Sequence, residues 1–388
     1  MRLRIATLNA WGLPAPLSQL PQQRMAALAD RLCALDVDVV ALQELWTRPA
    51  RRIVREACAR AGFVHTWSTH ADVGGSGLFV LSRLPVGASR FESFAVRGYA
   101  ERIDHGDFYG GKGFAHVELL HPDGRLHLVT THLHARYQRD VEHAYVPQRI
   151  AQIVQLADAL RAIDAPTLLV GDLNFVESSV EHRVLTGLTG LRDVAIELDQ
   201  RQPTALRSNP FRGGGSRDRR IDYVFARDGH HAQALPSRLE RVLDDVFLLE
   251  GTRVSVSDHA GLLAEVELTP GPGRGAATPS PEAVALAGEW LARGRADAAR
   301  RRADARALAG AGLACAGAAA LGQGRLPALS RRRFLRGALQ ASALLAVPPC
   351  VGLSLLSEVV APDQIRAFDQ LSERLATSAA GGASIARL

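Results

Sequence analysis

The segment 167–174, Thr-Leu-Leu-Val-Gly-Asp-Leu-Asn, places a carboxylate and an amide directly after a short apolar run. Leu168–Val170 follows a proline and is too short for a helix, so it is predicted to be a buried strand. Side chains at positions i and i+2 share one face of a strand, so Asp172 and Asn174 are expected side by side where the strand leaves its sheet. Such a pair can position a water molecule or bind a phosphate oxygen. Taken alone, the pattern fits an ordinary turn equally well.

A strand followed by a polar residue recurs along the first 260 positions of the chain. Apolar runs predict strands at 3–8, 37–42, 126–131, 188–194, 220–225 and 262–268, and helical spacing predicts helices at 22–35, 49–61 and 147–162. The polar residues at the strand ends are Asn9, Glu44, His132, Asp172, Asn174, Asp222, Asp258 and His259. Each has an ordinary explanation, such as a solvated glutamate at the start of a helix for Glu44. Together they predict one sheet edge lined with acids, amides and histidines.

This set of side chains favours metal-assisted hydrolysis of a phosphate ester. Carboxylates such as Glu44 are natural ligands of Mg²⁺, a histidine–carboxylate pair can handle protons, and amides can bind phosphate. The chain contains no G-x-S-x-G motif that would indicate a serine nucleophile. Of the two neighbouring histidines, His132 is expected to contact the phosphate or the leaving group, whereas His134 is expected to be structural.

The segment 98–113 is polar, rich in glycine and aromatic residues, and flanked by strands. It contains Lys112, the only lysine in a chain with 45 arginines. A lysine kept at this one position suggests the need for a compact point charge, for instance beside a phosphate. The alternative is chance, and the sequence leaves both explanations open.

The net charge of +6 is unevenly distributed over the 388 residues. Residues 271–388 hold 15 of the 46 basic and 8 of the 40 acidic residues, which leaves 31 basic and 32 acidic residues in 1–270. A neutral body argues against a long nucleic acid as substrate, because nucleases usually carry a basic footprint. The four cysteines form no C-x-x-C pair, so neither a zinc site nor a disulfide framework is indicated.

Composition divides the chain into a body at 1–270, a Pro- and Gly-rich linker at 271–281 and a basic helical tail at 282–388. Two apolar segments of the tail, 307–324 and 337–357, approach the roughly 20 residues that span a bilayer. A membrane hairpin is expected, and a peripheral or soluble helical tail is the alternative. The stretch 330–336 resembles a twin-arginine export signal at an unusual position. No secretory signal is recognised at the start of the sequence, so the body is expected on the cytoplasmic side.

Five motifs, in order, resemble the endonuclease/exonuclease/phosphatase superfamily: Asn9, Gln43-Glu44, the segment 171–174, the segment 221–223 and the segment 257–259. Within it, the segments 8–14, 75–78, 105–108, 111–112 and 131–137 are similar to neutral, Mg²⁺-dependent sphingomyelinases of the membrane-anchored animal type. The resemblance implies an α/β fold of the DNase I-like kind. This fold is a four-layer sandwich of two stacked mixed β-sheets flanked by helices, here followed by the helical tail.

The resemblance also implies a role for each site residue. Glu44, Asn9 and Asp258 would hold Mg²⁺, with Mn²⁺ as a possible substitute. His259, oriented by Asp222, would be the general base or would polarise the phosphate, and Asp172 would activate water or bridge the metal. The side chains that would bind substrate are Asn174 and His132, which hold the phosphate, and the pair Asp107 and Lys112, which gates the site in relatives.

The implied reaction is hydrolysis of sphingomyelin, or of a related sphingolipid or lysophospholipid, to phosphocholine and ceramide or acylglycerol. The expected partners are the lipid substrate and a membrane surface; nucleic acid is not expected, and no protein partner is indicated. A DNA or RNA nuclease of the same superfamily is the alternative enzyme. A membrane scaffold without catalysis is the third hypothesis, and the filled catalytic positions argue against it.

Overall fold

The computed structural model describes residues 2–69, 76–122, 124–137, 143–213, 217–323 and 348–385. The first sheet contains β1 (Arg2–Asn9), β2 (Val39–Gln43), β3 (His65–Ser68), β4 (Phe79–Ser82), β11 (Ala232–Val242) and β14 (Gly261–Pro270). The second contains β5 (Val86–Ser93), β6 (Gly113–His121), β7 (Gly124–His132), β8 (Thr167–Asp172), β9 (Arg192–Asp193) and β10 (Asp222–Arg227). A separate hairpin joins β12 (Phe247–Leu249) to β13 (Thr252–Val254).

Both sheets are mixed, and each contains one parallel pair. The strand orders are β11-β14-β1-β2-β4-β3 and β5-β6-β7-β8-β10-β9. The parallel pairs are β1 with β2 and β7 with β8, and the other neighbouring strands are antiparallel. The carboxyl ends of these four parallel strands carry most of the polar residues that the sequence analysis selected.

The helices are α1 (Pro21–Ala34), α2 (Arg48–Arg60), α3 (Val146–Arg161), α4 (Val180–Thr189), α5 (Val194–Glu197), α6 (Pro281–Gln323) and α7 (Ala361–Ile385). A short 3₁₀ helix covers Ile103–His105, and helical residues 348–355 run through a π-helix, Leu356–Val360, into α7. The strand predicted at 188–194 is largely wrong. Ser179 caps the start of α4 and Gly190 ends it at a φ of 69°, so Leu188 is helical and only Arg192–Asp193 pairs as a strand.

Alternation along the strands produces three apolar layers. Leu3, Ile5, Leu168 and Val170 pack between the sheets. The opposite positions face helices, with α1 and α2 against the first sheet and α3 and α4 against the second. This arrangement confirms the predicted four-layer sandwich, because period-two burial on both faces of a sheet requires a covering layer on each side.

The tail helices pack on the body. Ala287, Trp290 and Leu291 of α6 and Phe368 and Leu371 of α7 belong to the same apolar cluster as α3 and α4. The body and the tail on either side of the predicted linker, 271–281, differ in composition, but their buried side chains belong to one apolar core.

A polar contact joins the tail to the segment 98–113. The Tyr99 hydroxyl donates to Asp297 Oδ2 (2.8 Å), and the Arg301 guanidinium lies 3.6 Å from the centre of the Tyr99 ring. The backbone N–H of Arg97 donates to Gln364 Oε1 (3.1 Å). The tail thus contacts the loop that carries Asp107 and Lys112.

Within the part of the chain that the structure describes, no helix is long and apolar enough to cross a bilayer. The apolar segment 307–324 lies in α6 up to residue 323. Most of the second apolar segment, 337–347, and the twin-arginine-like stretch 330–336 lie outside the described residues.

Gly171 permits the close approach of β8 to β7. Its φ is 140°, and an added Cβ would lie 2.0 Å from the carbonyl oxygen of Thr131. Gly124 has a similar φ of 149° but open space around it. We expect Gly171→Ala to lower the free energy of unfolding by at least about 2 kcal/mol more than Gly124→Ala, because only the first adds a steric clash to the backbone strain. Urea unfolding measures both, and equal losses would contradict the argument.

A second pair of variants tests whether the tail is part of the folded unit. Leu291 is fully buried, whereas Leu308 on the same helix is 60% exposed. We expect Leu291→Ala to cost about 2–5 kcal/mol and to reduce the cooperativity of unfolding, because it leaves a cavity against α3 and α4. Leu308→Ala should change stability by less than about 0.5 kcal/mol. A neutral Leu291→Ala variant in thermal and urea unfolding would mean that the tail is not docked in solution.

Candidate active site

Three polar side chains lie in register across neighbouring strands of the second sheet. Asp172, the last residue of β8, pairs with His132 at the end of β7 and with Asp222 at the start of β10. These positions continue the inward-facing set of each strand, so all three side chains point into the end of the space between the sheets. The predicted gathering of strand-end residues at one edge is therefore present.

The first sheet contributes Asn9 and Glu44 from the ends of β1 and β2. The Asn9 amide nitrogen donates to Glu44 Oε1 and to Asp172 Oδ2, each at 3.0 Å, and so joins the two sheets. The Trp11 N–H donates to Asn9 Oδ1 (3.0 Å), which fixes the orientation of the amide. In this orientation the nitrogen of Asn9, rather than its oxygen, faces Glu44.

A histidine–carboxylate pair completes the edge. His259 Nδ1 and Asp222 Oδ2 are 2.9 Å apart, and the backbone N–H of His259 donates to Ser257 Oγ (3.1 Å). The other ring nitrogen lies 3.9 Å from Asp172 Oδ2 and 4.0 Å from Asp258 Oδ2. Burial alone would lower the pKa of His259, but Asp222, Asp258 and Asp172 together raise it to about 10. The negative charges of these carboxylates therefore favour the protonated form of the imidazole.

The carboxylates of the site are crowded. Burial, followed by the charge of Asp222, raises the pKa of Asp172 to about 7, and burial and the charge of Asp258 raise the pKa of Glu44. Ligand atoms of Asp172, Asp222 and His259 lie within 4.8 Å of one another. Asp222 Oδ1 is buried and has no hydrogen-bond partner among the described residues. Such a concentration of buried carboxylate oxygens fits a hard divalent cation such as Mg²⁺, whose charge would offset the repulsion.

Lys112 lies beside His132, with all three of its donors engaged. Its Nζ donates to the Leu133 carbonyl (2.7 Å) and to His132 Nε2 (3.0 Å), and it pairs with Asp107 Oδ2 at 2.9 Å. Burial opposes ionisation of Asp107, yet the Lys112 charge holds the pKa of that carboxyl below its usual range. Burial, followed by the Lys112 charge, lowers the pKa of His132 well below its usual value. Asp107 and Lys112 thus form a buried ion pair against the active edge, next to a neutral histidine.

Asn174 turns the chain after β8. Its φ is 54°, its N–H donates to Asp172 Oδ1 (3.0 Å), and its amide nitrogen donates to the Leu133 carbonyl (3.1 Å). The His134 ring stacks on the ring of Tyr145, with ring centres 4.2 Å apart, and so packs against an aromatic side chain rather than lining the edge. The site residues selected from the sequence thus gather at this edge, with Lys112 contacting His132 directly and Asp107 reaching the edge through Lys112.

Two residues that the sequence analysis missed also lie at the site. Thr204 Oγ1 accepts from the backbone N–H of Asp222 (3.2 Å), and the Thr204 carbonyl accepts from the N–H of Ala260 (2.7 Å). The Arg212 guanidinium lies 3.7 Å from Asp258 Oδ2, with its side chain 7% exposed. Both belong to a loop without strand periodicity, so no sequence signal marked them.

Comparison with known proteins places these features in a family. The model of the Endonuclease/Exonuclease/phosphatase family matches residues 6–259. A Drosophila melanogaster protein named as a candidate neutral sphingomyelinase is 31% identical over 276 residues, which cover 69% of this chain and 61% of the fly protein. Sphingomyelin phosphodiesterase 2 of Homo sapiens is 32% identical over 201 residues, or 51% and 47% of the two chains.

A third relative is named for lipids with a different head group. Inositol phosphosphingolipids phospholipase C of Schizosaccharomyces pombe is 32% identical over 188 residues, or 47% of this chain and 44% of the yeast protein. The match thus covers less than two thirds of the length of each of these three relatives.

Solved structures share the fold at low identity. Danio rerio TDP2 complexed with a single-strand DNA product has a TM-score of 0.56 at 19% identity, over 69% of this chain and 99% of that one. A Staphylococcus aureus beta toxin mutant with bound magnesium ions has a TM-score of 0.53 at 16% identity, over 68% and 99%. These likenesses establish the DNase I-like architecture.

Binding of Mg²⁺ to the crowded carboxylates is directly testable. We expect Mg²⁺ to raise the melting temperature of the full chain with saturation, because a ligand that binds the folded state stabilises it. Glu44→Gln should weaken this response at least about tenfold while leaving the chelator-treated protein as stable as wild type, since the change removes a partly buried charge that is repelled by Asp258. Glu56→Gln, an exposed change on α2, is the control. An unchanged Mg²⁺ response in Glu44→Gln would exclude Glu44 as a ligand.

Proposed function

Because this chain belongs to the Endonuclease/Exonuclease/phosphatase family and is related to sphingomyelin phosphodiesterases, we propose that it hydrolyses a phosphodiester bond of sphingomyelin or a related sphingolipid or lysophospholipid. The observation that carries the proposal is the in-register row His132–Asp172–Asp222, with the His259–Asp222 pair beside it. This row faces Glu44 and Asn9 across the end of the space between the sheets.

The metal ligands in this proposal are Glu44 and Asp258, with Asn9 nearby. Mg²⁺ is the expected ion, and Mn²⁺ suits the same oxygen donors. When bound, the ion neutralises negative charge on the phosphate oxygens and lowers the pKa of bound water. His259 is assigned to proton transfer rather than to the metal, because the surrounding carboxylates raise its pKa to about 10 and so favour the protonated imidazole, which has no lone pair to offer a cation.

The proton transfers are assigned to Asp172 and His259. Their facing atoms, Oδ2 and Nε2, are 3.9 Å apart, so both can reach one reacting phosphate. Hydrolysis requires one group that accepts a proton from the attacking water and one that supplies a proton to the leaving alkoxide. Asp172 and His259 fill these two roles, and Asp222 is a positioning residue that orients the imidazole.

The remaining polar groups are proposed to bind substrate. His132 and Asn174 contact the phosphate from the side of the second sheet. The buried pair Asp107 and Lys112 lies behind His132 and sets its position. Phosphocholine and ceramide are the expected products from sphingomyelin.

A lipid is favoured over a nucleic acid as the substrate. The relatives are named for sphingolipid substrates, and residues 1–270 carry a charge close to zero. Exposed Leu308, Leu313, Val351 and Leu355 on the tail, together with its arginines, support peripheral contact with a membrane surface. The cytoplasmic placement expected from the sequence remains a prediction. The family also contains endonucleases and exonucleases, so a nuclease is the second candidate.

The decisive assay offers sphingomyelin, lysophosphatidylcholine and plasmid DNA in parallel to the full chain, with Mg²⁺ and with a chelator. We expect Mg²⁺-dependent release of phosphocholine from at least one lipid. Asp172→Asn and His259→Gln should each lower kcat by at least about 100-fold, because each removes a proton-transfer group. His231→Gln, an exposed change outside the site, is the control.

Two results would contradict the proposal. Nicking of DNA without cleavage of either lipid would assign the chain to the nucleases of the family. Full lipid hydrolysis by both active-edge variants would place the chemistry elsewhere in the molecule.

A further inference from the structure

Arg212 places a nearly buried guanidinium beside Asp258 at the active edge. Its side chain is 7% exposed, and its Nε has no hydrogen-bond partner among the described residues. The nearest carboxylate oxygen, Asp258 Oδ2, lies 3.7 Å from one terminal nitrogen, which is longer than a hydrogen bond. A buried donor without a partner costs stability, so a ligand that accepts a hydrogen bond from Nε would bind favourably.

The loop that carries Arg212 is fixed to both sides of the site. The Asn209 amide nitrogen donates to the Ser257 carbonyl (2.8 Å), next to Asp258. The centre of the Phe211 ring lies 4.8 Å from that of Trp11. The backbone N–H of Trp11 in turn donates to Asn9 Oδ1. The backbone N–H of Arg212 donates to the Asn209 carbonyl (3.0 Å). The guanidinium is therefore held near the proposed metal ligands by the fold rather than by a partner of its own.

Arg212 differs from Lys112 because one of its donors, Nε, has no hydrogen-bond partner among the described residues. All three donors of Lys112 are occupied by Leu133, His132 and Asp107. The planar guanidinium of Arg212 has the shape to match two oxygens of a phosphate group. Among the described residues, Asp258 is the one carboxylate within 4.0 Å of this guanidinium, and it is also a proposed metal ligand, so a bound divalent cation would leave the guanidinium available to an anion.

We propose that Arg212 binds the phosphate group of the substrate and of the phosphomonoester product. The proposal rests on the proposed function for the identity of the substrate, but the binding of phosphate itself is independent of lipid hydrolysis. Arg212 is then a substrate-binding residue beside Asp258, and it exchanges Asp258 for phosphate when the metal binds.

Calorimetric titration of inorganic phosphate and of phosphocholine into the full chain tests this. With Mg²⁺ present, Arg212→Gln should weaken binding of both about tenfold or more, because charge-assisted hydrogen bonds to the anion are lost. Arg212→Lys should recover part of the affinity, since it keeps the charge and loses the fork. Arg207→Gln removes the same charge from an exposed position of the same loop and should change affinity less than twofold. Equal affinities in wild type and Arg212→Gln would overturn the proposal.

The exchange with Asp258 is tested by a double-mutant cycle in chelator. Asp258→Asn should tighten phosphate binding in the presence of Arg212, because it releases the guanidinium. The same change in an Arg212→Gln background should gain clearly less. Equal gains in both backgrounds would mean that Asp258 only repels phosphate, which would overturn the exchange.

Failure of this proposal is separable from failure of the proposed function. Wild-type protein that cleaves no lipid but binds phosphate through Arg212 would refute the function and support the site. Lipid hydrolysis with an unchanged KM and unchanged inhibition by phosphocholine in Arg212→Gln would do the reverse. Melting temperatures of both Arg212 variants and of Arg207→Gln, measured without phosphate, show whether a loss of binding reflects a loss of fold.

Discussion

Two side-chain amides join the sheets at the end where the site lies, and the rest of the active edge depends on them. The Gln43 amide nitrogen donates to the hydroxyl of Thr7 in its own sheet (3.1 Å) and to the hydroxyl of Thr130 across the space between the sheets (3.2 Å). Asn9 continues this bridge with its bonds to Glu44 and Asp172. Apolar side chains fill the rest of the space between the sheets, so these polar contacts lie at the boundary between the apolar core and the candidate active site.

Much of this edge was predictable, because the period of a strand is simple. An inward-facing apolar series that ends in Asp172 or His132 can only present those side chains beyond the core. Strand and helix are harder to distinguish where one apolar pattern fits both. The apolar positions around Leu188 fit a strand, but a serine cap and a terminal glycine selected a helix. The position of Arg212 was not predictable, because its loop is held by contacts of Asn209 and Phe211 with Ser257 and Trp11, which are distant in sequence.

Composition alone does not reveal whether the tail packs on the body. The Pro- and Gly-rich segment at 271–281 predicts a linker, yet the helix after it buries Ala287, Trp290 and Leu291 against the body. Apolar residues on one face of a helix do not reveal whether they meet a bilayer or a protein surface. Here the first part of α6 meets α3 and α4, and the exposed leucines lie farther along the same helix. A single helix thus serves both as a structural layer of the body and as an outward-facing surface.

The row of His132, Asp172 and Asp222 has a consequence for how such a chain can vary. Adjacent residues of a strand face opposite sides of the sheet, so adding or removing one residue between Val170 and Asp172 would turn the carboxylate towards α3 and α4. The loops between strands can change length without moving these three side chains relative to one another. Variation in substrate choice is therefore open to the loops, whereas the lengths of β7, β8 and β10 behave as fixed dimensions of the catalyst.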